Sequence, residues 1–323
     1  MTWKVLRDYK LNALICSVAI ATLGYLAFSI WGGWSSVISA FGDVGMIGFL
    51  VILSFSLVNY GLRFLRWQLY LSVLGHPMPI FPSILIYIAG FSLTTTPGKA
   101  GEMIRCLFLK ARGMPYKLSA AAFLSERMSD LIAIVLLSLL GMSLYPYGNM
   151  AIFSGVFVII MGLLLLYKKN WLMALANTVS RRTGRLANLV HQFLLLLIEA
   201  CCCHTPNLLL STITLSLLAW SAEAYAFHLV LSWMKVDVSL TFAFSVYAVS
   251  SLAGALSFLP GGLGGAEAAM IGLLVWAGMN EAEAVAATIV IRLATLWFAV
   301  ALGGLVLLFG SRTLNDSSNF SDS

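Results

Sequence analysis

Charge is what this sequence has least of. Only 10% of its 323 residues are Asp, Glu, Lys or Arg, while 60% are hydrophobic. A soluble domain carries roughly 25% charged residues, because its surface must face water. That surface is missing here, and no stretch is left over for a second, soluble domain. Catalytic and metal-binding signatures are equally scarce. The four histidines (His76, His191, His204, His228) are scattered, and no CxxC, HExxH, DxD or Ser-His-Asp grouping occurs. Three of the five cysteines are consecutive, Cys201-Cys202-Cys203, followed by His204. Neighbouring cysteines in a helix cannot converge on one metal, so they read as reduced thiols at a helix end. No catalytic residue, cofactor or metal is expected.

What remains is long apolar runs with basic residues at their ends. The net charge of +6 does not point to nucleic acid, since Lys and Arg cluster at the ends of runs, as the positive-inside rule places them. A membrane-spanning helix needs ~20 mainly apolar residues. Runs of that kind lie at about 11–31, 44–64, 118–141, 150–167, 207–232 and 283–309. The first is too long for the ~7–15-residue core of a signal peptide and reads as an anchor. Residues of about 170–203 combine Trp, basic residues and a leucine run, which predicts an amphipathic helix on the inner surface.

Two further segments break in the middle. Ile80 to Thr96 is apolar, then meets Pro97-Gly98-Lys99-Ala100-Gly101-Glu102 before a short run to Leu109. Leu240 to Leu259 meets Pro260-Gly261-Gly262-Leu263-Gly264-Gly265-Ala266-Glu267 before a short run to Ala277. Each second half is too short to cross, so each pair predicts a re-entrant helical hairpin. Irregular backbone at membrane depth is tolerated only inside protein or beside a wet cavity.

The flanking charges set an expected topology. Lys4, Arg7 and Lys10 put the N-terminus inside, and Arg63 and Arg66 read as the inner end of the second helix, with Trp67 as an interfacial anchor or a headgroup contact. Lys110, Arg112, Lys117, Lys168, Lys169, Arg181, Arg182, Arg185 and Arg312 also face inward. The first hairpin then opens to the cytoplasm and the second to the outside. The two segments also echo each other. Gly113-Met114 and Gly278-Met279 each precede an arginine, Arg127 and Arg292, by the same distance, and Glu102 and Glu267 keep step with those arginines. The expected architecture is an all-α polytopic membrane protein: a single transmembrane domain over 1–323, about six full transmembrane helices and two re-entrant hairpins, in inverted repeats of approximately 44–141 and 207–310. Inverted repeats with broken helices are the architecture of alternating-access transporters.

Candidate buried charges are Lys99, Glu102, Arg105, Glu126, Arg127, Asp130, Glu223, Glu267 and Arg292. Each would cost ~2.5–3.5 kcal/mol at a helix centre if unpaired. They must pair or face water. Asp130 shares a helical face with Arg127, Glu126 points elsewhere, and Glu102 and Glu267 either pair with Arg127 and Arg292 or take up protons. The glycine-bent tips, Pro97, Gly98 and Gly101 in one and Pro260, Gly261, Gly262 and Gly264 in the other, open backbone N–H groups to a ligand. With Lys99 and Arg105 they suit a phosphate or another anionic headgroup. The alternative is an ion-pair lattice that only staples the hairpins.

Pro97-Gly98-Lys99-Ala100-Gly101-Glu102 with Arg105, then Glu126-Arg127 and Asp130, resemble the transmembrane-domain family of lysylphosphatidylglycerol synthases. So do Pro260-Gly261-Gly262-Leu263-Gly264 with Glu267 and then Arg292. The resemblance implies a lipid-translocating domain, fused in some members to an aminoacyl-transferase or glycosyltransferase domain; lysyl transfer is not expected here. Where the family pattern places an Asn before the first Pro, this chain has threonines, so headgroup preference does not carry over. The expected function is a flippase of the cell membrane, with both termini cytoplasmic, for an anionic or polyprenyl-phosphate-linked (glyco)lipid. Lys99, Glu102, Arg105, Glu126, Arg127, Asp130, Glu267 and Arg292 would form its transport path. A membrane-embedded transferase acting on a lipid-linked sugar and a small-solute secondary transporter are the alternatives. The partner expected is a membrane lipid substrate, with a homo-oligomer and a glycosyltransferase of lipid biosynthesis left open.

Overall fold

The computed structural model describes residues 34–96, 100–142, 153, 155–157, 159–161, 169–181, 184–257, 259 and 261–310. The first apolar run (11–31), most of the run at 150–167, and Pro97, Gly98, Lys99, Pro260 and Arg312 lie outside the described residues. Every regular element among those described is helical. The protein is an all-α polytopic membrane protein.

Helix α1 runs Trp34–Val73 and breaks once, at Gly45 (φ 66°). Helix α2 (Ile80–Phe91) starts after Pro79, whose ring fixes a φ suited to helix entry. A 3₁₀ turn, Ala100–Met103, leads into α3 (Ile104–Ala111), and α4 follows at Tyr116–Met142. Two helices, α5 (Lys169–Ser180) and α6 (Arg185–Ala200), come next, then a 3₁₀ turn at Cys201–His204. Helix α7 (Pro206–Trp233) carries proline in its first turn, where the missing N–H is no loss. The Ser239 hydroxyl caps α8 (Leu240–Leu256) by accepting from the Phe242 N–H. After α9 (Gly265–Trp276) comes α10 (Glu281–Arg292), capped by Asn280 and acidic in its first turn, where the helix dipole is positive. A π-helical turn, Leu293–Trp297, joins it to α11 (Phe298–Phe309).

Length sorts these helices. Trp34–Val73, Arg185–His204, Pro206–Trp233 and Glu281–Phe309 are long and apolar enough to cross a bilayer. Helix α4 is 27 residues long, roughly 40 Å at ~1.5 Å per residue, and includes Lys117, Glu126, Arg127 and Asp130. Helices α2, α3 and α9 span 12, 8 and 12 residues, well short of the ~20 a crossing requires. The segment expected as one amphipathic helix at 170–203 is instead a pair. Gly184 (φ 135°) separates α5 from α6, and the two pack through Leu172, Ala176 and Leu194.

The same turns close corresponding elements. After α3, the Gly113 and Met114 N–H groups bond to the Lys110 and Leu109 carbonyls; after α9, Gly278 and Met279 bond to Val275 and Leu274. After α1, Gly75 and His76 bond back to Ser72 and Leu71; after α7, Lys235 and Val236 bond to Ser232 and Leu231. All four are left-handed helix stops that satisfy the last carbonyls. Lys235 (φ 60°) takes the strained place that Gly75 fills in the first turn. Helices α1 and α7 run antiparallel: Gly48 sits against Trp233, Phe55 against Tyr225, and the Asn59 amide donates to the Ala219 carbonyl at 2.8 Å.

Helix α11 closes onto the end of α2 at Gly303. A Cβ there would lie 2.2 Å from the Ser92 backbone nitrogen and 2.8 Å from the Ile88 carbonyl oxygen. Backbone cannot yield as a side chain can. Gly303→Ala is expected to lower stability by about 1–3 kcal/mol, the range of core overpacking. Gly304→Ala, with nothing within 4 Å, is expected to change little; thermal unfolding of the two purified variants in detergent checks the contrast.

Candidate functional site

The two broken segments meet. The Gly261 N–H reaches the Thr96 carbonyl at 3.5 Å, so the tip that follows α2 touches the tip that follows α8. The second tip needs glycine for its shape: Gly261, Gly262 and Gly264 have φ of 66°, 69° and 86°. A Cβ on Gly262 would also press within 3.0 Å of the Gly254 backbone. Gly101 sits in the 3₁₀ turn of the first tip and donates its N–H to the Thr96 hydroxyl at 2.6 Å.

Each tip delivers one buried glutamate to one arginine, 25 residues further on. Glu102 accepts from Arg127 Nη2 at 3.3 Å and from the Thr94 hydroxyl at 3.2 Å. Glu267 accepts from Arg292 Nε at 2.6 Å and from the Gly264 N–H, the start of its own helix, at 2.7 Å. Arg292 Nη2 also donates to the Gly261 carbonyl at 3.3 Å. Arg127 lies eleven residues into α4 and Arg292 eleven into α10, about 16 Å along each axis. Their side chains keep 22% and 14% exposure while both glutamates are buried.

In the first half the pairs close into a ring of alternating sign. Arg127 meets Glu102; Glu102 meets Arg105 at 3.4 Å; Arg105 meets Glu126 at 2.9 Å. Glu126 lies 3.9 Å from Arg66, Arg66 bonds Asp130 at 2.6 Å, and Asp130 returns to Arg127 at 3.5 Å. The Trp220 indole N–H donates at 3.0 Å to Asp130 Oδ1, the oxygen that Arg66 also holds. Arg105 is clamped by rings, with its guanidinium carbon 4.6 Å from the centre of Trp67, 4.9 Å from Tyr87 and 5.7 Å from Phe123. Three positive and three negative groups, nearly all enclosed, thus neutralise one another. Desolvating such charges costs several kcal/mol per ion, and the mutual pairing offsets it.

Arg63 and Arg66 correct the sequence reading. Expected at the inner end of the helix, they lie two to three turns inside α1, because the helix continues to Val73. Arg66 is fully buried, and Trp67 beside it is a core residue that donates to the Ser83 hydroxyl. The signal was the apolar stretch beyond them, Leu69 to Leu74, which a charged helix end would not carry. The second half carries its own buried acid, Glu223, which accepts from the Tyr247 hydroxyl at 2.7 Å.

This chain matches, over residues 14–303, the family described as lysylphosphatidylglycerol synthase TM region. The match spans both tips and every member of the ring. The chain belongs to that family. Its curated relatives include UPF0104 membrane proteins of Methanothermobacter thermautotrophicus. One is 27% identical over 309 residues, covering 89% of this chain and 90% of the relative. Another is 26% identical over 260 residues, covering 72% and 75%.

The ring predicts its own energetics. Asp130→Leu strands Arg66 in the interior and is expected to cost about 3–5 kcal/mol. Adding Arg66→Met should return much of that loss, because two apolar groups replace a cut pair. Unfolding of the single and double variants in detergent reads the difference; equal losses in both would show that the pair is not what holds this region.

Proposed function

We propose that the protein is a flippase that moves a lipid with an anionic or polyprenyl-phosphate-linked headgroup between the two leaflets of the cell membrane. One observation carries the reading: the tips of two broken segments touch, and each tip presses a glutamate onto an arginine held at the same depth of its helix. Helices α1 and α7, which end in the same turns and run antiparallel, support treating the two halves as an inverted repeat. On that basis the first hairpin enters from the face marked by Lys110, Arg112 and Lys117, taken as cytoplasmic, and the second from the opposite face. Both termini are then cytoplasmic as well. The family's description names a phospholipid, which fits such a substrate.

A headgroup resists the crossing because its charge is costly away from water. Arg127 and Arg292, the partly exposed members of the two pairs, offer it one partner for the approach from each face. A headgroup oxyanion that draws Arg127 away from Glu102 leaves that carboxylate to take up a proton or to keep Arg105. The same exchange at Arg292 and Glu267 completes the passage on the other side. Arg105 and Glu126 hold the first hairpin against α4.

Two measurements test this. Glu102→Gln and Arg292→Ala are each expected to abolish headgroup translocation in liposomes while the protein still inserts; wild-type translocation in both would refute the proposal. In a cysteine-free background, Thr96→Cys and Leu259→Cys, the latter at an exposed position of the second tip, are expected to react with impermeant thiol reagents from opposite faces of the membrane. Labelling of both from a single face would remove the inverted arrangement.

A further inference from the structure

The ring of six is neutral without Arg63. That arginine is a seventh charge at the ring and, among the described residues, shares its one carboxylate within 4 Å, Asp130, with Arg66 and Arg127. Its Nη2 stands 3.7 Å from Asp130 Oδ2, beyond the ~2.7–2.9 Å of a charge-assisted hydrogen bond. Nε and Nη2, which form one edge of the guanidinium fork, are buried and find no hydrogen-bond acceptor among the described residues. That edge is the part of arginine whose two parallel N–H groups match two oxygens of a phosphate or carboxylate. The group cannot swing away freely, since it lies between the rings of Phe91 and Trp220, with its central carbon 5.8 and 5.9 Å from their centres.

The neighbouring atoms single out one position. Asp130 is anchored through Oδ1, by Arg66 and Trp220. Its Oδ2 has no hydrogen bond among the described residues and lies at 3.7 Å from Arg63 and 3.5 Å from Arg127. Arg127 Nε is likewise buried without a partner. Arg66 has a similar free edge, but its side chain is wholly enclosed, whereas those of Arg63 and Arg127 retain 7% and 22% exposure through atoms next to the enclosed nitrogens. Phe123 backs Arg127, 5.1 Å from its guanidinium carbon.

We infer that Arg63 and Arg127 form a phosphate subsite beside Asp130 Oδ2, in which a phosphate takes the free Nε–Nη2 edge of Arg63 and the free Nε of Arg127. Asp130 stays fixed through its other oxygen and serves as the placeholder that keeps both arginines apart and oriented. The ligand chemistry is a phosphate monoester or diester, from a lipid headgroup or from free inorganic phosphate. Its lipid source rests on the translocation reading; its geometry does not. The subsite belongs to the first half alone. One turn past Asn59 lies Arg63, and one turn past its contact Ala219 lies Glu223, an acid in contact with Tyr247.

The test uses the full chain in dodecyl maltoside and in nanodiscs. Inorganic phosphate, against chloride at equal ionic strength, and phosphatidic acid, against diacylglycerol, are titrated while thermal unfolding is followed. A saturable rise in unfolding temperature is expected with phosphatidic acid. A rise with inorganic phosphate as well assigns recognition to the phosphate group itself, and a rise with the lipid alone assigns it to the lipid-borne phosphate. Arg63→Gln should weaken apparent binding about tenfold or more, and Arg63→Lys, which keeps the charge next to Asp130 but loses the fork, by a smaller factor. Absence of any response in the wild type, or a response undiminished in a folded Arg63→Lys or Arg63→Gln protein, overturns the subsite. Wild-type protein that flips lipid in liposomes without a phosphate response overturns the subsite and spares the flippase reading; phosphate binding without flipping does the reverse.

Discussion

An ionised side chain in an apolar slab must find its opposite, and in this protein that requirement organises the first half of the described fold. Glu102, Arg105, Glu126, Arg127, Asp130 and Arg66 come from three helices and one hairpin tip. No two neighbours in the ring can be neutralised from within a single helix, apart from the pairs three residues apart, Glu102 with Arg105 and Arg127 with Asp130. The ring therefore sets how α1, α4 and the first hairpin stand against one another. Apolar packing alone would not, because lipid tails are as apolar as leucine and give helices little reason to choose one neighbour over another.

Across the α1–α7 crossing the chemistry is unequal. Both tips place a glutamate on an arginine, and around the first pair Arg105, Glu126, Arg66 and Asp130 add further ions. Two hydrogen bonds show how parts can correspond while their chemistry diverges. The Trp220 indole of α7 donates to the Asp130 side chain of α4, and the Tyr60 hydroxyl of α1 donates to the Thr295 backbone carbonyl in the π-helical turn. A carboxylate stands in one place and a peptide group in the other. The framework is shared, and the electrical character of each side is set by a handful of substitutions.

Much of this was legible in the chain. Composition gave the class, since so few charges cannot coat a soluble domain. The 25-residue interval from Glu102 to Arg127 and from Glu267 to Arg292 pointed to the two ion pairs that the structure contains. Helical spacing put Asp130 beside Arg127 and turned Glu126 away from them, and the structure shows it meeting Arg105. What could not be read were relations between distant helices. Hydropathy sees Arg63 and Arg66 as the end of an apolar run, because it averages over a window and cannot know that charges 60 or more positions away will receive them. The Gly184 break between α5 and α6 was hidden by the basic residues around it. The π-helical turn carries no composition of its own.

That turn has a consequence for how α11 sits. A π-helical turn holds about one residue more than a regular one, so everything after Trp297 is rotated by roughly 100° about the axis relative to an unbroken α10. Were the same sequence wound as a regular α-helix through Leu293–Trp297, the azimuth facing the Ser92 backbone would fall to Leu302, whose side chain no such approach could admit. The bulge at Leu293–Trp297 and the small residue at Gly303 are thus a matched pair: a length defect in one turn, and a gap two turns later that it brings into line. Sequence variation in this helix should respect that coupling, with deletion of one residue tolerated inside the bulge and shifting the whole helix when it falls beyond.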